Sequence, residues 1–278
     1  MVNKANPAHL PKSNTMNIRA ITVSVDYADL LAHSLELWRD TTDSLLVITT
    51  DRDTDTRRLC EKHRVQTYVT DVFYANGAVF NKGAAMSEAV LKTGWRRYGA
   101  DWLLTFDADI IPPKDWRSRL EKMRMGLDGF DPVALLDSGN MRKFIDNGVI
   151  LQKDTIYGAY RWYCPENMDL QPAPQRMPQG FVIGFFNLFH NSSPYLPPET
   201  EPLWDCHWPH AGNVDTLFMR RFPPDKRVIL PLKMVHLGEE RKNWCGRYNR
   251  PALAEILKKR RAAEDWERER MANPPEIK

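Results

Sequence analysis

Along the first hundred residues, apolar positions alternate between the two-residue period of strands and the wider period of helices. Ile21, Val23 and Val25 alternate with polar positions and predict a first strand ending at Asp26-Tyr27. Leu31, Leu35 and Trp38 recur at helical spacing, which predicts an amphipathic helix over 28–39. Leu45 to Ile48 is a short apolar strand closing on Thr49-Thr50-Asp51, and the polar stretch 54–63 reads as a surface helix. Val65, Thr67 and Val69 mark a third strand. After a loop with Asn76-Gly77, the run Phe80-Asn81-Lys82-Gly83 leads into a small-residue helix over 84–95, with Ala85, Met86, Ala89 and Val90 as its buried stripe. Trp102 to Phe106 is a nearly unbroken apolar run stopped by Pro112-Pro113, the pattern of a central strand buried on both faces.

This strand-helix alternation predicts an α/β fold whose first half is Rossmann-like, with a mostly parallel central sheet flanked by helices. A helix over 116–125 and a short strand over 133–136 follow. The character then changes: residues 158–210 are rich in proline and aromatics, with one strong strand over 180–190. Such an ordered, loop-rich region in a compact domain shapes a pocket, and Trp162, Trp204 and Trp208 are its candidates for stacking on a ligand. A short helix is expected over 214–221, strands over 228–230 and 234–238, and a terminal helix opened by Pro251. The expected organisation is a loose tail over 1–16, a Rossmann-like half over 17–130, a loop-rich half of the same domain over 131–250, and a C-terminal helix and tail over 251–278.

Composition adds bounds. An apolar fraction of 42% with 10% aromatics is that of a folded chain with ample core. A net charge of +3 neither demands nor excludes a nucleic-acid partner. Cys60, Cys164, Cys206 and Cys245 are widely spaced and read as free thiols of a reducing compartment. The first residues lack the apolar core of a signal peptide and no run reaches transmembrane length, so a soluble, cytoplasmic protein is expected.

The candidate chemistry sits where the fourth strand ends. Asp107 and Asp109, two residues apart on extended backbone, point the same way and suit a hard divalent cation, which in turn suits a phosphate. The carboxyl edge of an open α/β sheet is where ligands bind. No G-x-G-x-x-G follows the first strand and no G-x-x-x-x-G-K-[ST] occurs, which disfavours dinucleotide redox chemistry and P-loop phosphate binding. Cys206-His207-Trp208-Pro209-His210 has metal-binding residue types, but a tetrahedral zinc site would need Cys164 or Cys245 from afar.

Four features in order resemble GT-A fold glycosyltransferases, particularly the family-2-like group. They are the first strand ending in Val25-Asp26-Tyr27, the second ending in Asp51, the helix entry Asn81-Lys82-Gly83-Ala84, and Asp107-Ala108-Asp109. The run 184–190, Val214-Asp215-Thr216 and His236-Leu237-Gly238 also look like elements of some soluble bacterial and phage members. The resemblance implies a GT-A fold with a loop-rich acceptor-side half. It also implies transfer of a sugar from a nucleotide-sugar donor, a UDP-sugar in first place, to an acceptor hydroxyl. In that scheme Asp26, Tyr27 and Asp51 contact the nucleotide, Lys82 positions it, and Asp107 reaches the ribose or the metal. Asp109 ligates Mn²⁺ or Mg²⁺ with His236 as a further ligand, and Asp215 is the candidate base of an inverting reaction. Phage members of this kind modify hydroxylated bases in DNA, so DNA is one expected acceptor; a surface polysaccharide or lipid-linked sugar is the competing one. A sugar-1-phosphate nucleotidyltransferase and a non-enzymatic nucleic-acid-binding protein are the rival readings. The first normally has a Gly-rich loop where this chain reads Asp26-Tyr-Ala-Asp-Leu.

Overall fold

The computed structural model describes residues 16–97, 101–124, 151–164, 173–174, 182, 184–212 and 214–237. The tail before Met16, the strand expected at 133–136 and the helix expected after Pro251 lie outside the described residues. The elements in order are β1 (Ile18–Val23), α1 (Ala28–Leu31), α2 (Leu35–Thr41), β2 (Ser44–Thr49), α3 (Thr54–Lys62), β3 (Gln66–Val69), α4 (Lys82–Thr93), β4 (Trp102–Asp107) and β5 (Ile110–Ile111). They continue with α5 (Trp116–Arg124), β6 (Ile156–Cys164), β7 (Ala173–Pro174), β8 (Phe186–His190), α6 (Val214–Met219) and β9 (Arg227–Leu237). No described helix is long and apolar enough to cross a membrane.

One sheet runs in the order β3-β2-β1-β4-β8-β6-β9-β5, with β7 beside β6. The β3-β2-β1-β4 half is parallel, as the strand-helix alternation predicts. β8 joins β4 antiparallel and brings in the second half of the chain. β5 follows β4 by only a two-residue turn, yet its partner is β9, where Ile110 faces His236. The sheet therefore curls back around the Asp107–Asp109 turn.

Strand side chains alternate between faces, and the alternation builds two cores. On one face Ile18, Ala20, Val47, Leu104, Phe106 and Leu188 pack with Leu35 and Trp38 of α2 and Trp116 and Leu120 of α5. On the other, Ile21, Leu46, Ile48, Leu103 and Phe189 meet Ala85, Met86 and Val90 of α4 and Val214 and Phe218 of α6. Each such large side chain, fully buried, contributes roughly 1.5–3 kcal/mol. Trp38 stacks on Phe106 at 4.1 Å, and its indole N–H donates to the Ile110 carbonyl at 3.0 Å. The first core thus reaches the strand that follows the aspartate turn.

Three departures from the pattern have local causes. The helix expected over 28–39 is two pieces, because His33 and Ser34 donate to Leu30 and Leu31, a three-residue spacing that tightens the chain into a turn. The strands expected at 228–230 and 234–238 are one strand, β9, with a register shift that leaves Pro231 and Leu232 without partners on β6. Pro231 has no N–H to give to a ladder and sits at that irregularity. Finally, Trp204 and Trp208 are 2% and 1% exposed, inside the second core rather than available to stack on a ligand. Proline-rich connection there carries core side chains. Trp162 alone of the three is partly exposed, with the Lys233 ammonium 4.7 Å from its ring centroid.

Candidate active site

The carboxyl ends of β1, β2 and β4 meet at one rim. Asp26 turns the chain out of β1 with φ of 61°, a left-handed conformation that Asp tolerates better than most residues. Its N–H donates to Asp53 Oδ2 at 2.7 Å. Asp53 is buried, accepts from Thr49 Oγ1 at 3.0 Å and caps α3 by accepting from the Thr56 N–H at 3.0 Å. Asp51, two residues earlier, is exposed and pairs with Arg57 at 2.8 Å. The inward-facing carboxylate after β2 is therefore Asp53. Tyr27 packs with Leu30 and Leu237.

Beside this rim lies a pair that the sequence reading missed. Tyr74 is 37% exposed, and the Arg52 guanidinium sits 5.6 Å from its ring centroid. Burial of the phenol, then the Asp26 charge, raises the Tyr74 pKa. The only sequence cue was the Asn76-Gly77 loop that follows.

Lys82 joins the two halves of the chain. Asn81 caps α4, its Oδ1 accepting from the Ala84 N–H at 2.8 Å, while its Nδ2 donates to the Cys206 carbonyl at 2.6 Å. A Cβ on Gly83 would overlap the Asp205 carbonyl oxygen, so only glycine lets this loop close over the helix start. With its backbone so fixed, buried Lys82 reaches Asp107 Oδ1 at 2.8 Å and Asp215 Oδ2 at 3.3 Å. Burial pulls the ammonium pKa down, but the Asp107 and Asp215 charges outweigh it and leave Lys82 above the usual lysine range. Asp215 lies in the first turn of α6, where burial, opposed by Lys82, raises its pKa to about 6. Room for it comes from Gly184, whose missing Cβ would coincide with the Asp215 side chain.

Asp109 is buried across the turn from Asp107, held by its carbonyl accepting from the Leu237 N–H at 2.9 Å. Its Oδ2 faces His236 Nε2 at 3.6 Å, and its Oδ1 is buried without a hydrogen-bond partner. Burial, then the Asp107 charge, raises the Asp109 pKa to about 8. Burial, then Arg161, lowers His236 to about 4. Among the described residues no three His, Cys, Asp or Glu side chains gather into a complete metal cage, at Cys206–His210 or elsewhere. What is present is an imidazole held neutral beside a buried carboxylate with an unsatisfied oxygen. That donor set fits a hard cation whose other ligands are water and a substrate phosphate, the usual arrangement for Mg²⁺; the imidazole nitrogen suits Mn²⁺ equally.

The structure thus brings Lys82, Asp107, Asp109, Asp215 and His236 together, sets Asp26 and Tyr27 at the neighbouring strand end, and leaves Asp51 at the surface. No protein-family model and no curated protein matches the sequence. Among solved structures, S. aureus TarS 1-349 in complex with UDP-GlcNAc matches with a TM-score of 0.53 at 12% identity, over 89% of this chain and 65% of that one. TarS 1-349 also matches at 0.50 and 11% identity, over 80% of this chain and 60% of that one. The chain has the GT-A fold. It spans less than two thirds of the TarS chain. Mannosyl-3-phosphoglycerate synthase from Rubrobacter xylanophilus is a looser likeness, with a TM-score of 0.46 at 13% identity over 95% of this chain and 77% of that one.

Proposed function

We propose that this chain is a divalent-cation-dependent glycosyltransferase that moves a sugar from a nucleotide-sugar, a UDP-sugar first among them, to an acceptor hydroxyl. One observation carries the reading: Lys82 ties Asp107 to Asp215 beside the buried Asp109–His236 pair. Donor-side and acceptor-side groups therefore share one cluster, at the sheet edge where ligands bind in α/β folds. TarS, solved with UDP-GlcNAc, supports the choice of UDP.

Asp26 and Tyr27 line the nucleotide side in this reading, with Tyr74 and Arg52 offering a partly exposed ring and a cation for the base. Asp109 and His236 hold Mn²⁺ or Mg²⁺, and Asp107 reaches the ribose or the cation. A bound divalent ion supplies Lewis-acid neutralisation of the diphosphate. Asp215 takes the proton from the acceptor hydroxyl as its oxygen bonds to the anomeric carbon and the bond from that carbon to the diphosphate breaks. Attack opposite the leaving group inverts the anomeric centre. Lys82 keeps Asp215 ionised in a buried setting and lies where the diphosphate charge develops.

The test is thermal shift and turnover with UDP and UDP-sugars, with and without Mn²⁺. A ligand at a hundred times its Kd stabilises by about 2.7 kcal/mol, enough to read as a shift. Asp109→Asn is expected to abolish the metal-dependent shift and UDP release while the circular dichroism spectrum persists. Pyrophosphate release from UTP with a sugar 1-phosphate, and no UDP release from any UDP-sugar, would overturn the proposal.

A further inference from the structure

Beneath Asp107 the sheet carries two polar side chains in its second core. Thr105 stands two residues before Asp107 on β4, so the two share a face, and in the antiparallel register Thr105 is opposite Asn187 of β8. Leu103 and Phe189, two residues away on either strand, belong to the second core, which places Thr105 and Asn187 on that same face. They are 3% and 0% exposed. Thr105 Oγ1 and both the Oδ1 and the Nδ2 of Asn187 have no hydrogen-bond partner among the described residues. Valine and leucine would fill these places without the desolvation cost of unmet polar groups. A cluster of buried polar atoms is instead the setting in which an internal water is held.

Asp215 supplies a third buried atom. Lys82 approaches its Oδ2 at 3.3 Å, while its Oδ1 is buried with no partner among the described residues. The packing of α6 carries this carboxylate across β8. The Asp215 side chain takes the space left by the missing Cβ of Gly184, and three residues further along the helix the Phe218 ring lies 4.9 Å from that of Phe189. These two contacts pin the first turn of α6 to the segment 184–189, and Asn187 lies between them. An acceptor short of a donor and an amide donor short of an acceptor therefore sit at the same helix turn. We infer that Asn187 and Thr105 hold one buried water that donates to Asp215 Oδ1. Three protein partners are the usual number for such a water. With Oδ2 tied to Lys82 and Oδ1 to the water, the carboxylate plane is fixed, and each oxygen keeps a lone pair for the acceptor proton. Asn187 is thus a positioning residue for Asp215. The water site stands on the side chains alone; only the value of fixing Asp215 rests on the transferase reading.

High-resolution crystal structures of wild type, Asn187→Leu and Thr105→Val, with urea unfolding and UDP-sugar turnover, test this. Wild type is expected to show an ordered water within hydrogen-bond distance of Asn187, Thr105 and Asp215 Oδ1. Both apolar variants are expected to lose it and to unfold at lower urea. Misplacing a catalytic group by about an ångström costs on the order of a hundredfold, so Asn187→Leu is expected to lower kcat about tenfold or more with the donor KM little changed. Asn187→Ser, which keeps a donor there, is expected to regain part of that loss. Should the leucine variant fail to fold, Thr105→Val gives the same comparison with one partner removed. No water at these three atoms, or apolar variants that unfold at higher urea than wild type, would show the pair to be unmet polar groups and overturn the inference. Variants that keep wild-type kcat would overturn the positioning role. Wild type that holds the water yet releases no UDP from any UDP-sugar upholds the water site and removes the transferase reading instead.

Discussion

Gly184→Ala tests the Lys82–Asp215 cluster through one methyl group. The added Cβ would fall on Cβ, Cγ and Oδ2 of Asp215. Cγ and Oδ2 could rotate away, but Cβ is fixed to the backbone of α6, so the helix start itself must move. Overpacking of this kind costs about 1–3 kcal/mol, which for a chain of this size lowers Tm by several degrees, at about 2–4 °C per kcal/mol. The chemical effect is larger. Displacing Asp215 breaks its contact with Lys82 and removes the candidate base from the acceptor, and a general base is worth about 10²–10⁴ in rate. UDP release from a UDP-sugar, measured beside urea unfolding, reads both. The expected result is a modest loss of stability with a loss of kcat of at least a hundredfold and little change in UDP affinity. Asp215→Ala would not relieve the overlap, because its own Cβ remains; Gly184→Ala with Asp215→Gly would, apart from about 1 kcal/mol for glycine in a helix. A Gly184→Ala protein with wild-type melting and turnover would refute the placement of Asp215.

Two further outcomes follow from the same cluster. Lys82→Met leaves Asp107 and Asp215 without their shared cation, and removing one partner of a buried pair costs about 3–5 kcal/mol, so a clear drop in urea midpoint is expected at neutral pH. With the Asp215 pKa raised to about 6 and the base acting in its ionised form, kcat/KM should rise with pH through about 6 and then level off. Asp215→Asn should remove that limb along with the activity.

Much of the scaffold was legible because its strands obey a simple rule. Ile18 and Ala20 face one core and Ile21 the other, and β2 repeats the pattern with Leu45 and Val47 against Leu46 and Ile48. A strand covered on both sides leaves an apolar run that periodicity alone detects. The same rule hid the break between α1 and α2, since Leu31, Leu35 and Trp38 keep their apolar stripe across it and face the same core. Composition misled at Trp204 and Trp208: proline-rich sequence reads as surface, but here it spans the second core, and burial is decided by what lies underneath.

The site was harder to read, for a reason that lies in the chemistry of carboxylates. Asp51 and Asp53 are two residues apart after one strand, as Asp107 and Asp109 are after another, and spacing cannot say which of either pair turns inward. At β2 the choice is made by Thr49 and Thr56, which offer Asp53 a hydroxyl and a helix N–H, while Asp51 is left to Arg57 at the surface. At β4 it is made by partners far away in the chain. Asp109 is held against β9 by Leu237, and Asp107 and Asp215 are joined through Lys82, itself aimed by the cap at Asn81 and the close contact at Gly83. A buried carboxylate is stable only where such partners converge. The candidate constellation is thus specified by the curl of the sheet that brings β9 back to the β4 turn, and no local pattern of residues encodes that closure.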